Sequence, residues 1–294
     1  MSVWADLSLV LILAGLTAYL LFGGADFGAG LWHLFGPQRG LIERAMGPVW
    51  EANHVWLIFV MVLTWTAFPP VFADIAGAYW VPLSIAALGI VARGSTLAFR
   101  KVVPEKYAVT FALSSLATPF CLGAVAGAVA LGRRSWLSLP AVYVGVLTVG
   151  LCAYLAAVYL TWDAHRDGDA TRFRAYALRA GCAVGLLALP GAVITGVHSP
   201  LIAVSAVAGV ASLVLLWRRS YLAVRVTAAL ATATVLWGAA VRADLPLASA
   251  AAPDAVLRLV LTVIAIGGLL LVPSLTWLYV LFQRQGPERT EGSV

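Results

Sequence analysis

Charge is what this chain has least of. Asp, Glu, Lys and Arg make up 11% of its 294 residues, against 62% hydrophobic residues and a mean hydropathy of +0.94. A soluble domain carries roughly 25% charged residues, so the composition excludes one and describes an integral membrane protein. Residues suited to hold redox centres are also scarce, with three Cys, three Met and four His. Cys121, Cys152 and Cys182 all lie in apolar runs, without a C-x-x-C or Cys/His grouping, and read as small packing residues rather than metal or redox pairs. There is no Walker A pattern and no phosphate-cradling glycine run. The longest polar stretch, about Asp163 to Ala175, is too short for a soluble catalytic or nucleotide-binding domain. Residues 1–6 lack the basic start of a secretory leader, so a cleaved leader is not expected.

What is present is one long succession of apolar segments. A membrane span takes about 20 apolar residues. That ruler predicts nine spans, approximately 6–35, 49–69, 79–100, 108–131, 138–162, 176–197, 200–217, 220–241 and 255–282. The least defined boundary is Arg218-Arg219-Ser220. Pro119, Pro190 and Pro273 fall inside spans, where they kink helices whose freed carbonyls neighbours must satisfy. The chain reads as a single membrane domain over 1–294, ending in a short tail at 284–294.

The net charge of +6 is a topology signal. Basic residues collect on one side of the predicted spans: Arg39 and Arg44, Arg100 with Lys101 and Lys106, Arg166 with Arg172 and Arg174, Arg218 with Arg219, and Arg284 with Arg289. By the positive-inside rule that side is cytoplasmic, the N-terminus is outside and the C-terminus is inside. The partner implied by this charge is a lipid membrane, and no nucleic acid is expected.

Two acids interrupt the apolar sequence early in the chain. Asp26 sits in Phe22-Gly-Gly-Ala-Asp-Phe-Gly-Ala-Gly30, and Glu51 in Trp50-Glu-Ala-Asn-His-Val-Trp56. An ionisable group at membrane depth is costly and therefore a functional candidate. Asp26 lies ~13 Å before Phe35 along a helix, and Glu51 opens the returning span. Both acids are thus expected in the cytoplasmic half, on antiparallel neighbours. A carboxyl in a low-dielectric setting tends to hold a proton near neutral pH and can pass it on. Two readings follow, and they can coexist: a proton relay through Asp26 and Glu51, or buried acids neutralised by Arg93 at similar depth in the third span.

His54 extends the proton path or donates a hydrogen bond within the bundle. Glu51-x-x-His54 is half of a di-iron carboxylate pattern, but a single copy occurs and no metal is expected. His33 and His54 lie near one membrane face, His165 and His198 in loops, so no pair is placed to ligate a haem at mid-depth. Trp50 and Trp56 are expected to pack around Glu51.

These motifs resemble those of subunit II of cytochrome bd-type quinol oxidases. Gly24-Ala-Asp-Phe-Gly-Ala-Gly30 resembles the family's G-F-D-x-G-x-G, Trp50-Glu-Ala-Asn-His-Val-Trp56 its W-[DE]-x-N-[QE]-V-W, and Arg93-Gly-Ser-Thr-Leu-Ala-Phe-Arg100 its R-x-x-x-F-E-F-R. The motifs occupy helices at 6–105, while 106–283 matches in hydropathy and span number only. The resemblance implies an all-α polytopic membrane protein of about nine transmembrane helices, in two four-helix bundles plus a peripheral helix. It implies a non-haem subunit of a prokaryotic cytoplasmic-membrane complex that oxidises quinol from the quinol pool and reduces oxygen to water. The haems would sit in a homologous subunit I. A small single-helix subunit and a bound structural quinone occur in some such complexes. Asp26 and Glu51 then match acids of a proton pathway, and Asn53, Trp56, Arg93 and Arg100 match motif positions. The chain departs from the family at Gly23 and Ala98, where acids are usual. The competing readings are a stand-alone proton-coupled secondary transporter, or a divergent subunit that only braces its partner.

Overall fold

In hydrocarbon a backbone has no water to satisfy its N–H and C=O groups, so an apolar chain must pair them internally, as helix. The computed structural model describes the backbone at residues 1–35, 39–99, 104–166, 170–195 and 200–284. Side chains are described there except at 34–41, 43–52, 97–99, 104–108, 166, 192–195 and most positions from 272 onward. Among the described residues the regular structure is entirely helical: α1 (Val3–Phe35), α2 (Arg39–Ala67), α3 (Pro69–Ala78), α4 (Trp80–Phe99), α5 (Pro104–Ala130), α6 (Leu139–Arg166), α7 (Thr171–Thr195), α8 (Pro200–Trp217), α9 (Tyr221–Arg242), α10 (Leu247–Ala250) and α11 (Asp254–Arg284).

Each predicted span falls on one of the long helices. Six of these, among the described residues, are long and apolar enough to cross a membrane, or seven if α2 and α3 form one broken span. The break is sharp: the chain bends by 119° between Asn53–Ala67 and Pro69–Ala78. Pro69 and Pro70 open α3, where a missing N–H costs nothing because the first turn leaves it unpaired anyway.

α1 is the axis of the fold. It packs on α2, α5, α6, α9 and α11, while α4 reaches the group through α5, and α6 through α9 pack in sequence beside it. α11 rests on α1 and α2, and its outer face exposes Leu259, Val263, Ile266 and Leu269. Close approach of α1 to α6 depends on glycine. A Cβ on Gly28 would land on the carbonyl oxygen of Cys152, and one on Gly24 would stand 3.0 Å from Leu155 Cδ1. Gly24 and Gly28 are four apart on one face, the small-xxx-small spacing that lets membrane helices touch. Trp32 then seals the crossing by donating from Nε1 to the Ala153 carbonyl at 2.8 Å.

The helix ends show how the chain turns in a few residues. After α5, Gly132 is left-handed (φ 59), its N–H donates to the Val129 carbonyl and the Arg133 N–H to that of Ala128. After α8 the same turn is made without glycine, with Arg219 at φ 63, its N–H on Leu216 and the Ser220 N–H on Leu215. Both are Schellman-type ends. Arg174 of α7 reinforces the second by donating to the carbonyls of Leu216 (2.9 Å) and Trp217 (2.7 Å), at the negative end of the α8 dipole.

Pro190 interrupts α7, and Tyr143 of α6 repairs the interruption. Its hydroxyl accepts from the Gly191 N–H at 3.0 Å and donates to the Leu187 carbonyl, standing within the helical ladder where a side chain can bend a helix. Tyr143→Phe is therefore expected to lower stability by about 1 kcal/mol, read as a lower midpoint of thermal unfolding in detergent. An unchanged midpoint would show that the hydroxyl is dispensable.

Candidate functional site: a buried ion pair beside a small cavity

Tyr19, Gly23, Asp26 and Gly30 recur along α1 at steps of four, three and four, which places them on one helical face. Asp26 is 1% exposed. Its partner is Arg93 of α4, also 1% exposed, with Nη2 at 2.7 Å from Oδ1 and Nε at 3.1 Å from Oδ2. This is a two-pronged charge-assisted contact, the strong geometry for guanidinium and carboxylate. Nη2 also donates to the Asp26 backbone carbonyl at 2.6 Å, and Nη1 donates to the Ser115 hydroxyl of α5. Ser115 in turn donates to the Phe111 carbonyl at 2.5 Å.

Aromatic faces complete the shell of the cation. The guanidinium carbon lies 4.2 Å from the Phe111 ring centre and 5.4 Å from that of Phe27. Each face offers its negative quadrupole to the charge. Gly30 is glycine for a steric reason: a Cβ there would collide with Ser115 Oγ and stand 3.1 Å from Arg93 Nη1. Three helices thus converge on one pair, α1 supplying the acid, α4 the base and α5 the hydroxyl.

α2 closes the other side. Tyr19, Asp26, Phe27, Asn53, His54, Ile90 and Arg93 line a cavity of about 10 Å³. Asn53 is 2% exposed and approaches Gly23 so closely that a Cβ there would sit 2.5 Å from its Nδ2. The space next to Asp26 where the family pattern leads one to expect a second acid is therefore taken by an amide from the neighbouring helix.

The structure brings together Asp26, Asn53, His54 and Arg93 of the expected residues. Trp56 is elsewhere: it is 36% exposed on the outer side of α2, edge to face with Phe59 at 6.4 Å, and does not line the cavity. The side chains of Trp50 and Glu51, and Arg100 altogether, lie outside the described residues. Three participants were not anticipated. Tyr19 was signalled by its place two turns before Asp26, whereas Ser115 and Phe111 enter from a distant helix and had no local signal. Among the described residues no group of three or more His, Cys, Asp or Glu is gathered as a metal site.

Comparison with known proteins places the chain in a family. The family described as cytochrome bd terminal oxidase subunit II matches residues 4–282. A curated relative, cytochrome bd ubiquinol oxidase subunit 2 of Bacillus subtilis strain 168, is 32% identical over 128 residues. That stretch is 40% of this chain and spans 38% of the relative's length. In a solved structure of bd oxidase from Geobacillus thermodenitrificans, one chain superposes with a TM-score of 0.77 at 23% identity, covering 97% of this chain and 100% of that one. The last likeness establishes the fold, and the family match extends over nearly all of the sequence. The chain belongs to the cytochrome bd terminal oxidase subunit II family.

Proposed function

We propose that this chain is the non-haem subunit of a cytochrome bd-type complex that oxidises quinol and reduces oxygen to water. It lies in the cytoplasmic membrane of a prokaryote, N-terminus outside and C-terminus inside, against a homologous haem-bearing subunit I. Family membership over residues 4–282 carries this reading, and the basic residues on one side of the spans support the orientation. The haems of the partner supply the electron transfer and oxygen chemistry. The cavity beside Asp26, at about 10 Å³, has room for a water molecule and not for a quinone ring.

The role left to this chain is to brace the partner and to move protons from the cytoplasmic side. Asp26 of α1 is the proton-accepting group at depth, His54 of α2 shares its cavity, and Glu51 lies three residues before His54 on α2. Arg93 offsets the carboxylate charge. When a proton arrives on Asp26, the guanidinium keeps the Asp26 carbonyl, Ser115 and two aromatic faces, so the cation is not stranded. In that event Asp26→Asn slows quinol-driven oxygen uptake by at least about tenfold, the lower edge of what a positioned proton-transfer group contributes, with haem content and assembly retained.

A second reading has its own observation: every nitrogen of the Arg93 guanidinium is engaged, as in a purely structural clamp. Native turnover in an assembled Asp26→Asn complex would favour it. Affinity purification through this chain tests the larger claim. A haem-containing heteromer with quinol:oxygen activity is expected, and a colourless protein that moves solute across vesicles would favour the transporter instead.

A further inference from the structure

Two buried polar atoms next to the ion pair lack a hydrogen-bond partner among the protein's own groups, the Tyr19 hydroxyl and Asn53 Oδ1. Both residues line the cavity that Asp26 also lines. Buried polar groups left unpaired are costly, and protein interiors meet that need with bound water making about three hydrogen bonds. The cavity volume of about 10 Å³ is near the smallest that accepts one water.

The chemistry of the wall selects the occupant. Tyr19 offers an O–H that donates, and Asn53 Oδ1 can only accept. A single water fits both needs at once, accepting from one and donating to the other. An apolar molecule would satisfy neither atom, and a metal cation would meet the Arg93 guanidinium across the same cavity. The backbone arrangement is suited to this. Gly23 lies between Tyr19 and Asp26 on the α1 face and has no Cβ to hold Asn53 back.

We propose that one ordered water occupies this cavity, accepting a hydrogen bond from Tyr19 Oη, donating to Asn53 Oδ1 and turning its second hydrogen toward the Asp26 carboxylate. The water site follows from the geometry alone. Its service as the immediate proton donor to Asp26 rests on the function proposed above, and Tyr19 is then a positioning residue for that donor.

The test is a structure of the intact membrane complex at a resolution that shows ordered water, for the native protein and for Tyr19→Phe. The native map is expected to show a peak about 2.6–3.2 Å from both Tyr19 Oη and Asn53 Oδ1. Tyr19→Phe removes the donor while keeping the ring, so the peak should disappear while the Asp26–Arg93 pair stays. A native map with no peak overturns the inference, as does Tyr19 Oη closed directly onto Asn53. Persistence of the same peak in Tyr19→Phe also overturns it. If the variant does not assemble, the native peak decides. Because density is read without turnover, a native complex with the water in place but no oxidase activity would sink the functional reading alone.

Discussion

Arg93→Gln should destabilise this protein by about 3–5 kcal/mol, the usual cost of stranding one half of a buried ion pair. Arg93 and Asp26 are each 1% exposed, and no other salt bridge to Asp26 is present among the described residues. Glutamine removes the positive charge and both prongs of the contact, leaving a carboxylate in a nearly dry site. The reciprocal change is expected to be milder. In Asp26→Asn the guanidinium retains the Asp26 carbonyl, Ser115, and the faces of Phe111 and Phe27. The Asn oxygen can also still accept from it. The double variant, with both charges gone, should recover much of what Arg93→Gln loses. Thermal unfolding of the four proteins in one detergent gives the cycle. Additive losses would mean that the two groups do not interact energetically, whatever their separation.

Gly28→Ala is the second large effect. The added methyl would overlap the Cys152 carbonyl, which is backbone and cannot rotate away, so α1 and α6 must separate. Overpacking of this kind costs about 1–3 kcal/mol, and here the damage spreads because α1 is the axis on which five other helices pack. The Trp32 bond to Ala153 lies four residues further along the same crossing and should weaken with it. Gly185→Ala and Gly209→Ala are the matched controls, since a Cβ at either has nothing within 4 Å. Yield of folded protein and its unfolding midpoint should fall for Gly28→Ala and hold for the controls. Equal behaviour of all three would remove the case for a tight α1–α6 contact.

How far the sequence discloses this arrangement differs from residue to residue. Asp26 and Arg93 stand out because their apolar flanks leave few other ionisable groups, and their similar depth implies that they meet. Pro69-Pro70 punctuates the end of α2, and the boundary expected to be least defined, Arg218-Arg219-Ser220, does separate α8 from α9, although nothing local announces that the chain turns by 119° into a ten-residue helix. Crossing number is less legible. Nine spans are predicted, and among the described residues six helices are long and apolar enough to cross a membrane, or seven if α2 and α3 form one broken span. What one-dimensional reading misses is interhelical register. Ser115 reaches Arg93 and Asn53 reaches Gly23 only because the rotation and stagger of α2 and α5 against α1 are fixed by packing. Trp56, expected to pack around Glu51, is 36% exposed and does not line the cavity beside Asp26, and the Glu51 side chain lies outside the described residues.

Proton uptake by the reconstituted complex tests the central claim most directly. With a pH-sensitive dye on the cytoplasmic side and an oxygen pulse to start turnover, the native complex should draw protons from that side in step with oxygen reduction. Asp26→Asn, with native haem content and subunit composition, should slow uptake and turnover together by at least about tenfold. Uptake at the native rate in that variant would contradict the account and leave Asp26 and Arg93 as a structural clamp.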